Sequence, residues 1–375
     1  MIDKIELCKV IDLNKELFNS KFRYVNKTID PKIDKDTGEV KRPGYKTEYY
    51  IYHHNGLVIR YIIPSRKLCI EGRLVNVLKE RTLFSNLSDY ILDKESNKLI
   101  TISNQNHFNN QAYDYRETCS YIVNKVNNLI ESLIDIPVDI REFIAKEIEV
   151  SFNLFNIEYV GYYIELFNLI FTSKERKNHK NYVLEKNLPH ETSFYVKRLS
   201  SYKKNKKNSY AVNFYNKQNQ LEYLKNEEKK NSKILDENIK LANNLLRLEV
   251  QLYYEELNKR ENIFNYYLDI NNCLDVIIRK YRQFISRNEN LNFYSYDRAK
   301  KIIKETNLPN ENKKKLLLKY IKEKYAYNKK HNPNTIIKYN KMLEILGIDP
   351  FFIPTKWKID YLESPINIIK RVYNI

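Results

Sequence analysis

Glu147-Ile148-Glu149-Val150-Ser151-Phe152-Asn153-Leu154-Phe155, EIEVSFNLF, alternates polar and apolar residues as far as Leu154. Side chains two apart on a strand point the same way, so Glu147, Glu149, Ser151 and Asn153 share a face opposite Ile148, Val150 and Phe152. Two further stretches repeat the pattern. In LRLEVQL, Arg247, Glu249 and Gln251 oppose Leu248, Val250 and Leu252. In AVNFYNK, Asn213, Tyr215 and Lys217 oppose Val212, Phe214 and Asn216. Such strands cover a core with one side and carry polar groups on the other. Ordinary sheets also have polar outer faces, so the pattern alone assigns no chemistry.

Working outward, KIELCKVIDL reads as a further half-buried strand near the start. A turn-rich stretch follows, with Asp30-Pro31, Asp36-Thr37-Gly38 and Arg42-Pro43-Gly44. TEYYIYHH and LVIRYII flank Asn55-Gly56, a hairpin signal because both turn residues take positive φ. KLCIEGRLVNVL continues as strand, and helical spacing covers 114–134 before Pro137. NIEYVGYYIELFNLIF reads as a helix with Asn156 as its N-cap. TSFYVKRL and SYAVNFYNK make a second hairpin around the basic turn Lys203-Lys204-Asn205-Lys206-Lys207. The charged stretch 218–243 reads as solvated helix, and from about Asn262 every candidate element is helical. The expected fold is α+β: an antiparallel sheet with flanking helices over residues 1–258, followed by a helical C-terminal domain over 259–375 that is expected to contact DNA. KIELCKVIDL echoes EIEVSFNLF, and LCIEGRL echoes LRLEVQL, which suggests two related sheet units over 1–135 and 136–258.

Composition narrows the function. Of 375 residues, 42% are hydrophobic and 13% aromatic, enough for a real core. Its 65 Lys and Arg against 47 Asp and Glu leave a formal net charge of +18. A/T-rich coding raises lysine, but it raises glutamate too, so it does not set the sign. The excess points to a polyanion partner. With 6 Gly there is no GxGxxG and no Walker motif, which argues against an ATPase, kinase or dinucleotide enzyme. Cys8, Cys69, Cys119 and Cys273 are scattered without a CxxC, so neither a zinc ribbon nor a disulfide framework is expected, and a reducing, cytoplasmic location is. MIDKIELCKV lacks the apolar core of a signal peptide. Asn153, Asn156, Glu158, Glu165 and Asn168 interrupt the most apolar stretch, 150–171, which therefore does not read as a membrane span.

Four motifs in order resemble the phage and plasmid replication initiator family typified by the filamentous-phage gene II and gene X proteins. They are MIDKIEL, LCIEGRLVNVL, EIEVSFNLF, and FYNKQNQL followed by LLRLEVQL. The last pair resembles the family's Tyr-x-Lys strand followed by an Arg-x-Glu strand, and the likeness spans roughly residues 1–258. One departure is Glu147, which stands where the family has arginine in an Arg-Ile-Asp strand. The resemblance implies rolling-circle initiation: nicking one strand of origin DNA, holding its 5′ end as a phosphotyrosine, and rejoining it later. It implies Tyr215 as nucleophile, with Lys217 stabilising the developing charge and Arg247 holding a phosphate oxygen. A free tyrosine has a pKa of about 10 and needs such help. It implies Glu149 and Glu249, with Glu71 as a third, as ligands of Mg²⁺ or Mn²⁺, since hard cations take carboxylate oxygens. Plasmid or phage origin DNA is the implied partner, with host helicase and polymerase beside it.

Tyr195, Tyr202 and Tyr210 are rivals to Tyr215 for the nucleophile. The 6 His form no His-x-His metal motif, and adjacent His53-His54 point to opposite faces of their strand, beside the hairpin turn. A metal site here is therefore expected to be acidic. Lys203, Lys204, Lys206 and Lys207 precede the Tyr215 strand, and Lys313, Lys314 and Lys315 stud a tail helix. Charge runs are commonly just solvated faces, but in a chain this basic they read as phosphate contacts, with tyrosines able to stack on unpaired bases. The rival reading, a non-catalytic sequence-specific DNA-binding protein for plasmid or phage replication control, shares the charge without needing the tyrosine and acids.

Overall fold

A computed structural model describes residues 2–18, 21–29, 32–33, 40–42, 44–78, 90–93, 98–101, 115–173, 182–184, 193–199, 208–227, 233–259, 261–306, 310–326 and 329–375. The turn-rich stretch 30–44 lies largely outside these residues, and the basic turn 203–207 lies wholly outside them.

An alternating segment becomes a stable strand only when neighbours take up its backbone N–H and C=O groups. Ten segments satisfy each other in one sheet. They are β1 (Ile2–Val10), β2 (Arg23–Ile29), β3 (Tyr45–His54), β4 (Leu57–Ile62), β5 (Lys67–Gly72), β6 (Ile144–Leu154), β7 (Tyr182–Leu184), β8 (Ser193–Leu199), β9 (Asn208–Asn216) and β10 (Leu246–Tyr253). Their order is β7-β8-β9-β10-β6-β1-β5-β4-β3-β2. Every neighbouring pair is antiparallel.

That order contains a repeat. Outward from the centre one half reads β1-β5-β4-β3-β2 and the other β6-β10-β9-β8-β7. Each half thus runs first strand, fifth, fourth, third, second, and the halves join through their first strands. The seam is irregular. Ile2 pairs with Val150 and Ile5 with Ile148, so β1 spends three steps where β6 spends two. One extra residue on one strand is a β-bulge, which re-aims the side chains at its position.

Local signals explain several joints. Asn55 (φ 49°) and Gly56 (φ 95°) form the two-residue turn between β3 and β4, and His54 pairs with Leu57 across it. Gly72 ends β5 at φ +127°, where an added Cβ would lie 2.5 Å from the Gly56 carbonyl oxygen.

Helices α1 (Tyr115–Ile134) and α2 (Val160–Thr172) bury apolar stripes in the core below the sheet. Asn156 does not cap α2. It takes a left-handed φ of 55°, and Tyr159 holds the cap position. The Ile157 N–H bonds the Asn244 carbonyl, which ties this segment to the chain entering β10 and delays the helix. The stretch expected to be solvated helix forms α3 (Lys217–Glu227) and α4 (Lys233–Leu241). These two enclose a small core of Phe155, Leu221, Leu235, Ala242 and Leu245, so only their outer faces are wet.

The C-terminal part comprises α5 (Tyr254–Leu257), α6 (Ile270–Phe284), α7 (Tyr296–Glu305), α8 (Glu311–Ile321), α9 (Pro333–Ile345) and α10 (Pro365–Tyr373). One feature there departs from the all-helical expectation: a two-strand ladder pairs Phe293–Tyr294 with Tyr361–Leu362, just before Pro365 opens α10. The cores also divide differently from a boundary at 258. Ile277, Tyr281 and Phe284 of α6 and Ile366 and Ile369 of α10 join the sheet's core, which also holds Ile148, Val150, Leu248 and Phe214. A separate core belongs to α7, α8 and α9, built on Ala299, Ile303, Leu317, Ile321 and Leu343. Among the described residues, no helix is long and apolar enough to cross a membrane.

Two glycines should respond in opposite directions. Gly72→Ala is expected to destabilise by about 1–3 kcal/mol, from positive φ and the crowded carbonyl. Gly161→Ala, in the first turn of α2 with open space around it, is expected to raise stability by up to about 1 kcal/mol. Urea melts of the two variants, compared with the parent, check both signs.

Candidate active site

Strand register places the polar groups. On β10, Arg247 stands opposite Tyr215 of β9 on one side and Asn153 of β6 on the other. Glu249 stands between Asn213 and Ser151, and Gln251 lies opposite Glu149. All are on the sheet face turned away from the large apolar core. The bulge in β1 adds Asp3 to them.

Arg247 is the hub, with 0% of its surface exposed. Its Nη2 donates to Asp3 Oδ2 and lies 3.7 Å from Glu149 Oε1. Its Nε donates to Glu249 Oε2 at 3.2 Å, and its Nη1 to Asn153 Oδ1 at 3.3 Å. Tyr215 is 2% exposed, and its hydroxyl donates to Glu249 Oε2 at 3.1 Å. Gln251 Nε2 bridges Glu149 Oε2 at 3.0 Å and Glu249 Oε1 at 3.3 Å, and is itself steadied by Tyr253. Arg73, just beyond β5, holds Asp3 Oδ1 at 3.1 Å. Lys217 opens α3 directly after β9. Its ammonium is buried 5.7 Å from the centre of the Tyr215 ring and donates to Gln220. A cavity of about 390 Å³ opens onto Glu149, Glu249, Tyr215 and Lys217, with Tyr195 and Lys197 of β8 also in its wall.

The electrostatics follow from burying so many charges together. Burial opposes the charge on Asp3, but Arg247 and Arg73 outweigh it and hold this carboxyl well below the usual carboxylate range. Glu149 goes the other way: burial, then the neighbouring Glu249 and Asp3, push it well above its ordinary value. Burial and Arg247 bring Lys217 down to about 7, so at neutral pH its ammonium is readily deprotonated. Burial, then Glu249, raises Tyr215 above the ordinary phenol value.

Asp3, Glu149 and Glu249 each offer a carboxylate oxygen, and these lie within 4.8 Å of one another. Three hard oxygens suit a divalent cation such as Mg²⁺ or Mn²⁺. The repulsion that raises Glu149 is the kind a cation there would relieve. The donor set therefore fits a metal, with Asp3, Glu149 and Glu249 as its holders.

Of the residues singled out from sequence, Tyr215, Lys217, Arg247, Glu149 and Glu249 come together. Glu71 does not. It lies on the other half of the sheet opposite Glu6, pairs with Arg60 at 3.0 Å, and has 38% of its side chain exposed. Asp3 takes the third acidic position instead. Ile2-Asp3-Lys4-Ile5 breaks the two-residue alternation by one, and that break was the available signal. Glu147 pairs with Lys4 at 3.5 Å, apart from the cluster. Tyr210 points into the core, bonded to Gln283, with the Lys280 ammonium 3.2 Å from its ring centre. Tyr195 lies opposite Asn213 at the cavity. Tyr202 and Lys203, Lys204, Lys206 and Lys207 fall outside the described residues. Lys313, Lys314 and Lys315 lie on α8, with Lys314 3.6 Å from Glu311.

The chain matches no protein-family model, no curated protein and no solved structure. The reading of the site therefore rests on its residues and geometry.

Removing the hub should cost far more than removing a surface pair. Arg247→Met strips three buried carboxylates of their compensation and is expected to destabilise by about 3–5 kcal/mol. Glu71→Ala, in the half-exposed pair with Arg60, is expected to cost under about 1 kcal/mol. Urea midpoints of the two variants make the comparison.

Proposed function

We propose that this chain is a rolling-circle DNA replication initiator that nicks and rejoins one strand of plasmid or phage origin DNA through a 5′-phosphotyrosine, with a divalent metal. The observation that carries this is the Tyr215 hydroxyl bonded to Glu249 at the wall of a cavity that also holds Lys217 and Glu149, with Asp3 buried beside the two glutamates. A phenol is a poor nucleophile until something takes its proton. Glu249 is placed to take it as the phenol oxygen attacks phosphorus. The bond from phosphorus to the 3′ oxygen breaks, and that oxygen leaves as a hydroxyl after gaining a proton from water. Lys217, in its protonated form at the cavity wall, offsets the negative charge that accumulates on the phosphoryl oxygens, and the buried Arg247 adds its field from behind Glu249. The phosphotyrosine keeps the bond energy for closure, so the reverse attack by a 3′-hydroxyl reseals the strand. A Mg²⁺ or Mn²⁺ ion held by Asp3, Glu149 and Glu249 would polarise the scissile phosphate.

A second reading has its own support. Arg247 and Tyr215 are almost fully buried and each acid already has partners, as in a polar network that only locks a sheet. That reading makes the chain a non-catalytic, sequence-specific DNA-binding protein for replication control.

Incubation with supercoiled origin plasmid and Mg²⁺ or Mn²⁺ separates the two. Open circles with protein on the 5′ end support the initiator; binding without nicking in any metal supports the rival. Tyr215→Phe is expected to abolish nicking while keeping binding, and Glu249→Ala to lose activity that added Mn²⁺ does not restore. Peptide mapping after a suicide-substrate reaction should find the phosphate on Tyr215. Label on Tyr195 or Tyr202 would overturn that assignment.

A further inference from the structure

Half of the excess charge of the chain sits in one small part of it. Residues 296–346 carry 14 Lys and Arg against 5 Asp and Glu, a net +9 of the total +18. These 51 residues are α7, α8, α9 and their connections, which have a core of their own. Tyr320 on α8 ties to Asn340 on α9 by a 3.1 Å hydrogen bond, so the lysines stand on a built module and not on a tail.

The charge is turned outward. Lys301 and Lys304 on α7, Lys313, Lys315, Lys319 and Lys322 on or just after α8, and Lys338 and Lys341 on α9 are all exposed. On α9, Asn334, Ile337, Lys338, Lys341 and Ile345 recur at helical spacing along one face. Ile337 is 51% exposed and Ile345 79%. Lysines interleaved with single bare isoleucines suit a surface that offers phosphates beside apolar groove groups, such as thymine methyls and sugars. An acidic membrane would favour a continuous apolar face in place of isolated side chains.

We infer that α7, α8 and α9 form a docking module for the phosphate backbone of duplex DNA, separate from the cavity that faces Tyr215. Only the choice of DNA as the polyanion rests on the proposed nicking function; the charge and the core of the module do not. Duplex binding on this module would hold origin DNA while the opened strand is handled at the sheet.

The test uses the full chain carrying Tyr215→Phe, without metal, so that nicking plays no part. Binding to a 30-base-pair duplex, of a length chosen for the assay at about three helical turns, is followed against salt concentration. The triple change Lys304→Gln, Lys315→Gln and Lys341→Gln is compared with Lys46→Gln, Lys259→Gln and Lys356→Gln, three exposed lysines elsewhere with the same loss of charge. The module variant is expected to bind the duplex at least about tenfold more weakly. The slope of log affinity against log salt should fall by about 0.9 for each phosphate no longer neutralised by a lysine. The control triple is expected to retain both. Equal loss in the two variants, or no loss in the module variant, overturns the inference. So does a larger loss of binding to phosphatidylserine vesicles than to the duplex. Loss of duplex binding in a protein whose parent never nicks would leave this inference standing and remove the nickase reading.

Discussion

The fully buried guanidinium of Arg247 is the constraint on which the rest of the structure turns. Moving a charge out of water costs several kcal/mol even after the protein relaxes, so it must be surrounded by acceptors. Four strands and a loop supply or steady them: β1 brings Asp3, β6 brings Glu149 and Asn153, β10 brings Glu249, β9 brings the phenol that shares Glu249, and Arg73 follows β5. Each of these pairings is local to the sheet face. Together they require that the two halves of the sheet meet in one register, because Asp3 and Arg73 come from one half and the others from the second.

The seam between β1 and β6 makes this work. A regular ladder would carry Ile2, Lys4 and Glu6 on one face and Asp3 with Ile5 on the other. The bulge lets Ile2 and Ile5 both enter the core while Asp3 reaches Arg247. A structural irregularity is thus matched to the buried polar grouping around Arg247. The two halves share a strand order but not a chemistry. Where the second half places Arg247 and Glu249, the first places Cys69 and Glu71, with Arg60 alongside.

Much of this was legible in sequence because its signals are local. The alternation of EIEVSFNLF and LRLEVQL gave β6 and β10 and the correct polar faces, so Glu149, Glu249 and Arg247 could be named together. The Asn55-Gly56 turn announced its hairpin through its required backbone conformation. What escaped depended on long-range geometry. Glu71 and Glu249 occupy similar-looking strands, and only the order of strands decides that one lies by Arg60 and the other by Arg247. Asp3 was hidden because a bulge is a mismatch between two strands, visible only when both are known. Asn156 looks like an N-cap in isolation and loses that role to a backbone bond from Ile157 to Asn244. The helices α3 and α4 look wet because their small core borrows Phe155 and Leu245 from outside the segment.

The bond between Arg247 and Asp3 spans 244 positions of the chain. At typical synthesis rates of 5–20 residues per second, Asp3 leaves the ribosome roughly ten to fifty seconds before its partner exists. For the first part of that interval, until β6 (Ile144–Leu154) is made, the first half-sheet can close on itself but the outer edge of β1 has no β6 to meet. An unpaired edge invites other strands. The nascent protein is thus open to mispairing along the very strand that later brings Asp3 to the site, and a chain stopped before β10 would hold Asp3 by Arg73 alone.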